Sequence, residues 1–275
     1  MKRLLTLIRH DLNDSKIGLI SVVVIALSIG ALFGAFYPTI RENADGIAML
    51  AQGEIAALFF NISADDVADF DFSDYNVYIS TEYFSFFWAV LFVPFLISWG
   101  VKMAGQAEKG TLALLLAHPV SRTDAVNSQL LSLAAKAALT AFAFIVSAGL
   151  PALFIEDTNL DLVAWLRVGV FYLVIFITIS YIAFAASIVT MSKLKGIWIT
   201  TVIIVLGYLF NTISNLVSEV EFLKYASLWH YMGNTTKQLQ GEPLYTLGFL
   251  VFLLVAIICI VIPVLVFDKK NLPNG

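Results

Sequence analysis

EKGTLALLLAHPVSR, residues 108–122, is the stretch whose reading decides the fold. It lies between two apolar runs, each long enough to cross a bilayer, and is too broken by charge, glycine and proline to cross one itself. Residues 111–117 read as a short helix that starts after Gly110 and stops before Pro119, because the residue preceding a proline is pushed away from helical angles. Leu112, Leu114, Leu115 and Leu116 are too apolar to be left in water, and Glu108, Lys109 and Arg122 too charged for lipid. Such a segment lies flat at a membrane surface or against another protein.

Composition agrees with a membrane setting. The 275 residues are 60% hydrophobic and only 13% charged, with a mean hydropathy of +0.88. A water-soluble domain of this size has no use for so much apolar surface. Outward from the central stretch, six apolar runs are expected to span, at residues 17–37, 81–103, 130–150, 167–191, 196–217 and 245–267. Each is near the ~20 helical residues that ~30 Å of hydrocarbon requires. The fold class is therefore all-α, a single polytopic domain over residues 1–275.

The connecting segments carry the charge. Residues 1–16 hold Lys2, Arg3, Arg9 and Lys16, with Leu4, Leu5, Ile8 and Leu12 on one face, and read as an amphipathic interfacial helix. A cleaved signal peptide fits less well, since the basic region is long and no small-residue cleavage site follows before Pro38. Residues 38–80 form an outer loop containing a partly buried or interfacial helix from Gly46 to Phe60. The run DDVADFDFSD, residues 65–74, lacks the register and glycine of a calcium loop and reads as a solvated acidic segment. Gly30 and Gly34 form a pair that lets another helix approach. Pro94 is expected to kink the second span. Lys136 is expected to snorkel to the surface, and Trp229, His230 and Tyr231 to rest on the outer interface. Cys259 reads as a small buried hydrophobe.

Six spans place both termini on one side. With the N-terminus inside, the inner segments hold 12 of the 16 basic residues and the outer segments only Arg41, Arg167, Lys224 and Lys237. The positive-inside rule then gives an N-in, C-in chain with residues 108–122 in the cytoplasm. Several chemistries drop out. The chain has no GxxxxGK[ST] phosphate loop, no HExxH and no GxSxG, and no catalytic, cofactor-binding or metal residue is assigned. His10, His118 and His230 fall on both membrane faces and do not converge on a metal. The spans are nearly empty of charge, which argues against an ion-coupled carrier. The hydroxyls and amides of Thr178, Tyr181, Asn211 and Asn215 are candidates for a substrate path, with structural pairing between helices as the default.

The central stretch resembles the first cytoplasmic loop of ABC-2 type transporter permeases, in the NosY-like branch. That pattern is matched here by Glu108, Lys109, Gly110, Thr111, Leu112, Leu114, Leu115, Leu116, Pro119, Val120, Ser121 and Arg122. The basic N-terminal helix, the long first outer loop and the close at Phe267-Asp268-Lys269-Lys270-Asn271-Leu272 are also similar, although Asn271 stands where an acid is often seen. The resemblance implies a type V exporter-like transmembrane domain: a permease subunit that moves an amphiphilic or hydrophobic substrate out of the cytoplasm of a prokaryotic cell. ATP and Mg would sit on a separate ATP-binding subunit, two copies per complex, and a second permease, identical or homologous, would complete the pathway through the cell membrane. The loop helix would be the ATPase contact, with Leu112, Leu115 and Leu116 in a groove of that subunit, Glu108 and Arg122 at its rim, and Gly110 and Pro119 setting the helix ends. No nucleic-acid partner is implied. The competing reading is a secondary transporter or channel with no ATPase, for which the sequence offers neither inverted repeats nor a polar path. A membrane enzyme lacks a catalytic constellation.

Overall fold

The computed structural model describes residues 2–51, 70–112, 121–156, 158 and 160–267, and among these every regular element is helical. In chain order the α-helices are α1 (Lys2–Asp14), α2 (Lys16–Glu42), α3 (Ala44–Ala51), α4 (Tyr75–Gly100, broken internally), α5 (Lys102–Glu108), α6 (Arg122–Gly149), α7 (Leu162–Thr190), α8 (Lys193–Leu216), α9 (Thr235–Leu239) and α10 (Thr246–Phe267), with short 3-10 turns at Pro151–Phe154, Ser218–Ala226 and His230–Met232. Six of them, α2, α4, α6, α7, α8 and α10, are long and apolar enough to cross a membrane. The all-α, six-span architecture expected from the sequence is the one the chain adopts.

The bundle is built around α7. Its most apolar window is 72% buried, against 22% for α2 and for α10, so α7 is the central post and the others surround it. It packs on α4, α6, α8 and α10, while α2 packs on α6. Phe144 of α6 sits at the heart of the core, with ring centroids of Tyr83, Phe84 and Tyr172 at 4.7, 4.7 and 5.0 Å. A π-turn at Tyr83–Phe87 interrupts α4. The Phe84 carbonyl there accepts from the Tyr172 hydroxyl at 2.9 Å, so the irregular backbone stays satisfied in an apolar setting. A second break falls at Phe92, two residues before Pro94, which has no N–H to give the ladder.

Several helix bounds lie outside the expected ones, each for a local reason. Helix α2 runs through Pro38 to Glu42 rather than stopping at Tyr37. The extension is held by Tyr37, whose hydroxyl donates to Ser73 O at 2.5 Å, and by Arg41, which donates to Glu156 O at 3.1 Å. Helix α4 begins at Tyr75, not Thr81. Asp74 caps it by accepting from Asn76 N, and the polar residues of its first turn all find partners. Tyr75 donates to Ala148 O at 2.6 Å, Tyr78 to Phe33 O at 3.0 Å, and Asn76 accepts from the Trp165 indole at 2.9 Å. Asp161 starts α7 at Leu162 by accepting from Val163 N and Ala164 N. Lys193 and Lys195 belong to the first turn of α8 rather than to a preceding turn. The interfacial helix expected between Gly46 and Phe60 is described only as far as Ala51, and most of the acidic run 65–74 lies outside the described residues. Of that run, Asp71 accepts from Ser73 and Asp74 caps α4.

The connection 218–245 rests on the surface only in part. Ser218–Ala226 has no buried residue and His230 and Tyr231 are half-buried, but Trp229 and its neighbours fold back into the bundle. Trp229 is buried, stacks 4.9 Å from Trp88 and donates to Ile204 O; Ser227 donates to Gly207 O at 2.6 Å; Thr236 pairs with Ser80 at 2.7 Å. Once its N–H has a carbonyl to bond, the indole gains more from burial than from an interfacial position.

Gly30 and Gly34 are buried against the end of α6 and the turn after it. A Cβ on Gly30 would lie 2.1 Å from the Ser147 carbonyl oxygen, and one on Gly34 2.2 Å from Pro151. Gly30→Ala is therefore expected to push α2 off α6 at a cost of about 1–3 kcal/mol, lowering the melting temperature of the detergent-purified chain. Gly46→Ala, where nothing lies within 4 Å, is the neutral control.

Candidate functional site: the loop base, a buried charge cluster and a lateral groove

The stretch 108–122 emerges from one end of the bundle, and its base is fixed at both sides. Helix α5 ends at Glu108, with Lys109 as its C-cap, and the chain reverses at Gly110, whose φ of +71° favours glycine. The Glu108 carboxylate accepts from the backbone N–H of Lys193 at 2.9 Å and so caps the start of α8, where Ser192 makes no side-chain cap bond. Thr111 donates to Gln106 O at 3.1 Å, and Leu112 is buried within this chain at 2% exposure. Leu112 therefore anchors the loop and is not on a free face. Leu115, Leu116, Pro119 and Val120 lie outside the described residues. On the return side Ser121 caps α6 by accepting from Asp124 N at 3.0 Å. Arg122 donates to Phe267 O, the last carbonyl of α10, at 3.2 Å and packs over the Phe267 ring. Glu108 and Arg122, expected at the rim of a partner, thus tie the loop to α8 and α10. Lys109 is exposed.

Beneath this base lies a cluster the sequence did not disclose. Lys136 does not snorkel: it is fully buried, and its ammonium meets Asp11 of α1 at 2.5 Å, close to the Trp99 ring. The other oxygen of Asp11 meets Lys102 of α5 at 2.7 Å; Ser132 donates to Asp11 at 2.5 Å, and Lys102 also reaches Asp14 at 3.5 Å. Burial alone would raise the Asp11 pKa. The charge of Lys136 and the bonds from Lys102, Lys136 and Ser132 outweigh it and hold the carboxyl below its usual range. Helix α1 accordingly turns Leu4, Leu7, Ile8, Asp11 and Leu12 toward the bundle; of the face 4, 5, 8 and 12 expected from periodicity, only Leu5, exposed at 59%, points away. Helix α6 is about 42 Å long at ~1.5 Å per residue, more than ~30 Å of hydrocarbon needs. Lys136 lies about 21 Å along it, past any overhang of that length, so the pairing with Asp11 is what makes a charge tolerable there.

The four substrate-path candidates divide. Thr178 is buried with its hydroxyl 2.7 Å from Val174 O and 3.1 Å from Phe252 O, and Tyr181 donates to Leu130 O at 3.1 Å. Both cross-link helices. Asn211, buried, and Asn215, exposed, line a polar cleft of about 510 Å³ at the opposite end of the bundle from the loop, beside His230 and Lys237. Burial, reinforced by nearby Lys224, holds the His230 pKa below its ordinary value. None of the four reaches a large apolar opening on the side of the bundle. That is a lateral groove of about 550 Å³ between α4 and α8, with Lys193 at the loop end and Tyr208 and Trp229 at the other. Its α8 wall recurs at Lys193, Ile197, Thr201, Ile204 and Tyr208, a helical stripe, but in a span apolar all round the stripe had nothing to set it apart. Among the described residues no group of three or more His, Cys, Asp or Glu side chains is placed to hold a metal.

No curated protein matches the chain. A family model described as ABC-2 family transporter protein matches residues 5–272, nearly the whole length and including the loop, its two anchored sides and all six spanning helices. A transport component with six membrane-crossing helices and no phosphate loop of its own is consistent with that match, and the chain belongs to the ABC-2 transporter family.

Proposed function

We propose that this chain is the permease subunit of an ATP-driven exporter, with its N- and C-termini and residues 108–122 in the cytoplasm. Two such permeases, identical or homologous, pair in the cell membrane, and each receives one ATP-binding subunit that carries ATP and Mg. Membership of the ABC-2 family is the observation that carries this reading, and a sequence with no GxxxxGK[ST] is in keeping with hydrolysis on a partner. Leu115 and Leu116 fill the partner's groove. Leu112, already buried, holds the loop in place instead. Closure of the ATPase pair displaces the loop, Glu108 passes that displacement to α8, and Arg122 passes it to α10. Asp11, through Lys102 and Lys136, keeps α1, α5 and α6 moving as one body. The cargo is an amphiphilic or hydrophobic molecule, in keeping with the apolar lining of the groove beside α8.

The test is affinity capture of the tagged, full-length chain from its own membranes in mild detergent. The expected result is an equimolar partner containing GxxxxGK[ST]. A chain that isolates alone and still transports after reconstitution would refute the reading.

A further inference from the structure

From two hydrogen-bonding atoms left open in the polar cleft opposite the loop, we infer a binding site there for a neutral, hydroxyl-bearing ring, a sugar. The cleft gathers four side-chain amides: Asn211 and Asn215 from α8, Asn234 at the cap of α9, and Gln238 within α9. Gln238 is buried at 4% exposure, and its Nε2 donates to Met232 O at 3.2 Å. Asn234 Oδ1 accepts from Lys237 N at 3.2 Å. Each partner fixes which way its amide points, because a carbonyl only accepts and an N–H only donates. What remains is Gln238 Oε1 and Asn234 Nδ2, both buried and both without a partner. Polar atoms in that state are rare because they are costly to leave unmet. The two residues stand one helical turn apart, and their open atoms, an acceptor and a donor, do not reach each other.

The senses of the two atoms select the occupant. Gln238 Oε1 needs a donor, which a carboxylate or a phosphodiester lacks. Asn234 Nδ2 needs an acceptor, which an ammonium lacks. A trans amide carries both, but on opposite sides of its bond. A hydroxyl gives and takes through one oxygen, and a ring with hydroxyls on neighbouring carbons does so twice. The walls agree. Trp229, His230 and Tyr245 also line the cleft and offer aromatic faces to the C–H face of such a ring. His230 is steadied by edge contacts to Tyr231 at 5.2 Å and Tyr225 at 5.4 Å. Burial, helped by Lys224, holds its pKa below the ordinary value, so it is neutral at pH 7.5. Of the other charged groups on the lining, Lys224 is bonded to Glu221 and Lys237 is offset by Glu242, so no single sign dominates. Treating the sugar as part of a departing cargo rests on the exporter reading above, in which this end of the bundle is the outer one. Its binding does not.

The test is saturation-transfer NMR at pH 7.5 on the full-length chain, purified without glycosidic detergent and held in phosphatidylcholine nanodiscs. The probes are methyl glucoside, methyl galactoside and methyl mannoside at millimolar concentration. N-acetylglycine methylamide, acetate and methylammonium serve as amide, anion and cation controls. At least one glycoside is expected to show transfer to its ring protons that empty nanodiscs do not give, and none of the controls should. Asn234→Ser keeps an oxygen to cap α9 and removes the open donor. It should weaken glycoside binding about tenfold with the melting temperature unchanged. Asn234→Asp, which keeps the cap and puts an acceptor where the donor was, should abolish binding. Transfer to no glycoside would mean that the two atoms hold an ordered water only, and the proposal falls. It falls too if binding is indifferent to both Asn234 variants, which puts the sugar elsewhere, or if the amide control binds in its stead, which makes the occupant a peptide. Glycoside binding by a chain that captures no ATPase keeps the site and removes its place in an exporter. ATP-driven transport by a complex that binds no glycoside keeps the exporter and removes the site.

Discussion

Lys136→Met is expected to destabilise the chain by about 3–5 kcal/mol, because it leaves the Asp11 carboxylate largely buried and without its closest counter-charge. Lys102 and Ser132 would remain beside Asp11, so the loss falls first on the docking of α1. A cysteine at Ser15, a position buried in the intact chain, introduced with Cys259 replaced by alanine, should become reactive to maleimide as α1 lifts away. The double variant Asp11→Asn, Lys136→Met removes both charges and should recover most of the loss, since a matched neutral pair has no uncompensated charge to bury. The same contact predicts a pH dependence. The folded Asp11 pKa is depressed, so its contribution is fully present above the unfolded carboxylate value of ~3.9 and is lost as pH falls through the lower folded value. Protection of α1 against hydrogen exchange should therefore hold at neutral pH and fade in that acid window. A double variant no more stable than Lys136→Met alone would show that the pair is not what holds α1.

Leu115→Glu is expected to abolish ATP-driven transport while leaving the chain inserted. In the proposed complex Leu115 fills an apolar groove of the ATPase, and a carboxylate there would be desolvated without a partner. Loss of such a central contact is worth at least about 2 kcal/mol, roughly a thirtyfold weaker association. Co-purified ATPase should fall accordingly, and any hydrolysis that remains should no longer respond to substrate. Lys109→Glu, an exposed charge at the base of the loop, should have a much smaller effect. Wild-type transport by Leu115→Glu would remove the loop from the mechanism.

The number of spans was legible because a run of some twenty apolar residues has few alternatives to a membrane helix. Their ends were less so. Tyr75, Asn76 and Tyr78 look like loop residues until Ala148, Trp165 and Phe33 supply partners from distant parts of the chain. The Lys136–Asp11 pair spans 125 positions, and nothing near either residue announces the other. Gly30 and Gly34 declared a close approach but not its object, the end of α6 and the turn after it. Trp229 carries an aromatic signal that fits an interface and an inner plug equally well, and only the Ile204 carbonyl decides between them. The loop base was readable as a motif, yet Glu108 and Arg122 turned out to be bound to Lys193 and Phe267, since charge alone does not say whether a partner lies within the chain or beyond it.

The most direct measurement is transport itself, in vesicles holding the purified chain with and without its phosphate-loop ATPase. The cargo is drawn from a panel of fluorescent amphiphiles loaded on the side of residues 108–122. Movement that requires the ATPase and hydrolysable ATP, and stops with Leu115→Glu, is what the account predicts. Equal movement with no ATPase present would contradict it.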